Sequence, residues 1–98
     1  MRPAKVKVLG QTFTVSYVNG EPLDEDDLGE CSVDKLTISV RDGLPVEKER
    51  LVVVHELVHA IEDVLGLKLR EKQVEGLETG IYALIRDNPS LLRYLRER

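Results

Sequence analysis

Apolar and polar residues alternate at period two across KVKVLGQTFTVSYV, residues 5–18, with Val6, Val8, Phe13, Val15 and Tyr17 as the apolar set and Gly10-Gln11 breaking the run. That alternation marks a strand with one buried face, and the break makes it either a hairpin or a long bulged strand. NGEPLDEDDLGE follows, rich in Gly, Pro and Asp and therefore a loop. Alternation returns in KLTISV, residues 35–40, with Leu36, Ile38 and Val40 on one face, until RDGLP stops it. If this last strand lay at the edge of the sheet, its free N–H and C=O groups would accept an extended peptide as an added strand; an edge protected by charge is the other reading.

From Pro45 the period lengthens to that of a helix. Pro45 suits a helix start and Glu47 and Glu49 suit its first turn, while Val54, Leu57, Val58, Ile61 and Leu65 form an apolar stripe that Gly66 ends. A second helical pattern begins near Arg70, with Val74, Leu77, Ile81, Leu84 and Ile85 as its core face, and runs out where Pro89 pushes Asn88 from helical geometry. SLLRYLRER reads as one more short helix. The expected fold is α+β, a single domain over residues 1–98: a small, mainly antiparallel sheet from residues 1–44 packed on a helical half, residues 45–98.

Composition narrows the class. With 98 residues, 42% of them hydrophobic and 33% charged, the chain has the balance of one globular unit. A net charge of -4 argues against a general nucleic-acid partner, because neutralising phosphate takes a basic face. Basic residues gather near the two ends, as Arg2, Lys5 and Lys7 and as Arg86, Arg93, Arg96 and Arg98, and read as solvated ends. The single cysteine, Cys31, allows no internal disulfide, the start MRPAKVKVLG lacks a secretory apolar run, and no stretch is apolar enough to span a bilayer. A cytoplasmic monomer or small homo-oligomer, with no membrane partner, is the expectation. The acidic run of residues 24–27 reads as a solvated loop, with attraction for a cation or a basic peptide as the other reading.

The chemistry lies in VVVHELVHAIEDV, residues 52–64, which holds both histidines of the chain around a glutamate. Four residues apart on a helix, His55 and His59 share a face and can each give a ring nitrogen to one metal. Zinc suits that pair, since a catalytic zinc site takes three protein ligands and leaves a fourth position for water. Glu56, about 100° from His55 around the helix, stands beside such a metal as the base that takes a proton from the zinc-bound water.

A third ligand must come from the second helix. If the two helices form a hairpin closing at residues 66–69, the histidines look across at residues 75–80, a window holding Glu75 and Glu78. Glu71 lies too near the turn to be preferred. Glu75 is the expected ligand, Glu78 the alternative, and whichever does not ligate is placed to hold a histidine N–H. Tyr82, one turn on, is either an oxyanion donor or a packed tyrosine. Cys31 is either a soft ligand or a small buried residue beside a strand.

The motif resembles that of the zincin metallopeptidases and, within them, the gluzincins. The stretch from LGECSVDKLTISV through LPVEKERLVVVHELVHAIEDVLGLKL to VEGLETGIYALIRDNP is similar to small phage and prophage metallopeptidases related to the ImmA/IrrE group. That resemblance implies a hydrolase, with His55 and His59 as zinc ligands, the glutamate of QVEGL, Glu75, as the third, and Glu56 as the catalytic base. HELVH followed by 18 residues and Glu78 matches the gluzincin aminopeptidase spacing, while Glu75 shortens the gap to 15. The implied function is zinc-dependent hydrolysis of peptide or protein substrates. The alternative is a zinc-stabilised regulatory or binding protein without turnover.

Overall fold

A computed structural model describes residues 1–97, so Arg98 of the C-terminal basic cluster lies outside the described residues. Four strands, β1 (Lys5–Val8), β2 (Gln11–Val18), β3 (Gly29–Ser32) and β4 (Thr37–Arg41), precede three helices, α1 (Val46–Leu65), α2 (Glu71–Asp87) and α3 (Pro89–Arg96). The fold is α+β. Its sheet runs in the order β1-β2-β4-β3, with antiparallel β1/β2 and β3/β4 pairs and a parallel β2/β4 pair.

The break at residues 9–10 is a hairpin and not a bulge. Leu9 and Gly10 both have positive φ, 50° and 86°, as a two-residue type I′ turn requires. Phe13, Val15, Ile38 and Val40, all on the inward face, join Val8, Val52 and Ala60 in one buried cluster.

β4 is not an edge strand. It pairs with β2 on one side and β3 on the other, so its N–H and C=O groups are spent inside the sheet, and an extended peptide cannot add there. The free edge beside α1 belongs to β3, a four-residue strand too short to leave a periodic signal of its own. The main-chain N–H of Arg41 donates to the carbonyl of Leu28 at 2.8 Å. Because hydrogen-bonded pairs alternate in an antiparallel ladder, the main-chain groups of Gly29 and Cys31 face outward from the sheet.

Helix α1 starts after Pro45 and ends at Gly66, whose left-handed φ of 71° closes the last turn. Its buried face differs from the apolar stripe. Val52, Glu56 and Ala60 point to the sheet, Val58 and Glu62 are buried as well, and Ile61 and Leu65 are exposed. The helix is packed from two directions, by the sheet and by α2, so its interior spans two arcs separated by the flank that carries Ile61. Among the described residues no helix is long and apolar enough to cross a membrane.

Candidate metal centre

His55 and His59 lie one turn apart on α1 with side chains 22% and 29% exposed, at the border between core and solvent. Each ring is oriented from behind. The Nδ1–H of His55 donates to Glu78 Oε1 at 2.8 Å, and that of His59 donates to Glu62 Oε1 at 3.0 Å. A ring whose Nδ1 carries the proton presents a bare lone pair at Nε2. The two Nε2 atoms face each other at 3.2 Å, and Glu71 Oε1 stands 3.4 Å from His55 Nε2. Three acceptors therefore converge, with one ligand atom from each of His55, His59 and Glu71 lying within 4.8 Å of the others.

Such a cluster of acceptors is relieved by a proton or a metal ion among its atoms. Ligands bound at 2.0–2.1 Å with tetrahedral angles sit about 3.3 Å apart; two of the separations, 3.2 and 3.4 Å, lie close to that, and the three atoms all lie within 4.8 Å of one another. The His-His-Glu group can hold a metal ion by its geometry and by its donor chemistry.

The carboxylate brought to the histidines is Glu71. Glu75 and Glu78 were the expected candidates, but Glu78 is engaged at the back of the His55 ring, and Glu75 lines the adjoining cleft without joining the three-atom group. The helical hairpin assumed a tight turn. Instead residues 67–70 form neither helix nor strand, and the N–H of Leu69 donates to Glu62 Oε2 at 2.7 Å, which ties the connection back to α1. The first turn of α2, with Glu71, therefore starts beside the histidines.

Glu62 went unnoticed in the sequence. It is buried, holds His59 with one oxygen and the start of the α1–α2 connection with the other, and the Leu69 N–H followed by His59 lowers its pKa below the ordinary carboxylate value. Its signal was available: a glutamate three residues after a motif histidine lies on the same flank of the helix.

Glu56 is only 5% exposed. Burial raises its pKa above the usual carboxylate value, with His55 and His59 pulling it down and Glu71 and Glu30 adding to the rise. Glycine at position 29 makes room for it. A Cβ there would stand 2.8 Å from both Glu56 Oε2 and Val52 Cγ1. Glu56 lines a cleft of about 420 Å³ walled by residues 26–29 on one side and by Glu75, Glu78 and Thr79 of α2 on the other, with His55 on its floor.

The remaining candidates lie elsewhere. Tyr82 borders a separate apolar groove with Tyr17, Val54 and Ile85, away from Glu56. Cys31 stays outside the metal-capable group, and burial, then Glu56, Asp63 and Glu30, push its thiol pKa up to about 12. No family model matches the chain, and no curated protein and no solved structure matches it either.

Proposed function

We propose that the protein is a zinc-dependent peptidase of the zincin type, with His55, His59 and a carboxylate of α2 as the metal ligands and Glu56 as the general base. The observation that carries this reading is the convergence of two Nε2 atoms and a carboxylate oxygen beside a buried carboxylate that has no side-chain partner among the described residues. In this arrangement Glu71 supplies the third ligand. Glu75, one turn further along α2, is the residue favoured by resemblance. When bound, zinc would supply Lewis acidity toward a peptide carbonyl and toward water.

The chain's own groups account for the rest of the reaction. Glu78 and Glu62 fix the ring orientation and tautomer of His55 and His59. Glu56, in a dry setting that raises its basicity, takes a proton from the attacking water in the cleft and delivers it to the leaving amine. The outward main-chain groups of Gly29 and Cys31 offer an extended peptide a strand to pair with, which would lay its backbone along the cleft.

Metal analysis of protein purified without added zinc tests the centre: about one zinc per chain is expected, lost in His55→Ala and in the variant, among Glu71→Ala, Glu75→Ala and Glu78→Ala, that removes the third ligand. Glu56→Gln should keep its zinc and lose peptide cleavage. Wild-type protein free of zinc would remove the metal reading, and undiminished turnover in Glu56→Gln would remove the base.

A further inference from the structure

The cleft beside the histidines is acidic on both walls, and we infer that it selects polypeptide segments that carry a Lys or Arg side chain next to the reacting bond. The inference rests on the peptidase reading for the position of that bond, whereas affinity for basic segments needs no catalysis.

Asp26 and Asp27 line one wall, Glu75 and Glu78 the other, and Glu56 lies between them; Lys48 is the one cation among these lining residues. Among the described residues Asp26, Asp27, Glu56 and Glu75 take part in no salt bridge, and Glu78 pairs only with His55. The Arg41 guanidinium leaves them free. Arg41 donates to the main-chain carbonyls of Asp24 at 2.8 Å and of Asp27 at 2.7 and 2.9 Å, and to no carboxylate. It therefore holds the acidic loop in shape through its backbone while its carboxylates stay available. A loop held this way keeps its charges in place before a ligand arrives, which lowers the entropy lost on binding.

Glu56 adds an independent pointer. It is about 95% buried and, among the described residues, its side chain has no hydrogen-bond partner, yet no fully buried side-chain atom there is left unsatisfied. Its carboxylate oxygens therefore keep their remaining exposure in the cleft that they line. A pocket in which five carboxylates face one lysine is completed by donors, and an ammonium or guanidinium brings three or five of them with the opposite charge. A divalent ion at the histidines would offset part of this field. Acidic segments meet repulsion from both walls.

The test separates binding from cleavage. Fluorescein-labelled octapeptides, identical except for Lys-Arg, Gln-Gln or Glu-Glu at the centre, are titrated by anisotropy against zinc-supplemented Glu56→Gln protein. The Lys-Arg peptide should bind about tenfold more tightly than the Glu-Glu peptide in dilute salt, and the gap should narrow near 0.5 M salt. Asp26→Asn with Asp27→Asn, both exposed positions, should weaken the basic peptide about three- to tenfold, and Lys48→Gln should strengthen it about twofold. Equal affinity for basic and acidic peptides, or an unchanged preference in the double variant, overturns the inference. The same peptides are incubated with zinc-loaded wild type. Preferential binding without cleavage leaves the inference standing and removes the peptidase reading, and cleavage that ignores charge removes the inference alone.

Discussion

Replacing Gly29 by Ala should destabilise the protein, although alanine is ordinarily the better strand residue. Gly29 lies in β3 without a left-handed φ, so its backbone accepts a side chain, and reduced freedom of the unfolded chain favours alanine by about 0.4–1 kcal/mol. Against this, the new Cβ would meet Val52 Cγ1 and Glu56 Oε2 at 2.8 Å and Glu56 Cγ at 3.0 Å, where relaxed carbon contacts fall near 3.5–4.0 Å. Val52 is 6% exposed and cannot step aside into solvent, and Glu56 can shift only its tip within the cleft, so α1 must lift from the sheet or Val52 must adopt a poorer rotamer. Overpacking of this kind costs about 1–3 kcal/mol, leaving a net loss of about 1.3 kcal/mol at mid-range. For a domain of this size the melting temperature should fall by roughly 5–10 °C. Calorimetry in the presence of chelator, with urea denaturation as a second probe, measures the effect without a contribution from metal. In a Glu56→Ala background only the Val52 clash persists, so the cost of Gly29→Ala should shrink by about 0.5 kcal/mol or more. A Gly29→Ala protein as stable as wild type would refute the close approach of α1 to β3, and with it the setting assigned to Glu56.

Further expectations concern the metal, the hairpin and the thiol. Chelation should lower the melting temperature, since a ligand bound only by the folded state stabilises it in proportion to the logarithm of its concentration over Kd; an unchanged melting curve would count against a bound metal. Glu78→Gln and Glu62→Gln, which weaken the anchors of the two rings, should each loosen zinc about 10- to 100-fold in competition with a chromophoric chelator while leaving one site per chain. Leu9→Asn should stabilise the β1/β2 turn by about 1 kcal/mol, because Leu9 holds a φ of 50° that asparagine tolerates better; thermal melts decide it. Cys31, its pKa pushed up to about 12 by burial, should resist iodoacetamide at pH 8.5 in the folded protein and react readily in urea. The same shift has a sign in stability. Above pH 9 the unfolded thiol loses its proton while the folded one keeps it, so stability present below pH 9 should decline as pH climbs toward 12, and Cys31→Ala should flatten that decline.

Much of the molecule was legible from local pattern. The period-two runs located β2 and β4, the change to a helical period after Pro45 and the stop at Gly66 bounded α1, and Pro89 divided α2 from α3. The pairing of His55 and His59 followed from the geometry of one helix, which places residues four apart on one face whatever surrounds them. The site beyond that helix was less legible. Four residues of β3 give too little periodicity to recognise, and the apolar stripe of α1 pointed to Ile61 and Leu65, which are exposed, while Glu56 and Glu62 are buried.

Sequence alone therefore determined the elements, their ends and the two imidazoles, because each depends on interactions among residues within a few positions of one another. Tertiary structure decided which carboxylate meets them. Whether Glu71, Glu75 or Glu78 arrives depends on how residues 67–70 are tied back to α1, and the room for Glu56 depends on a glycine 27 positions away in the chain. Periodicity records that a face has a partner, but which partner, and at what distance, is set by how the sheet and helices pack.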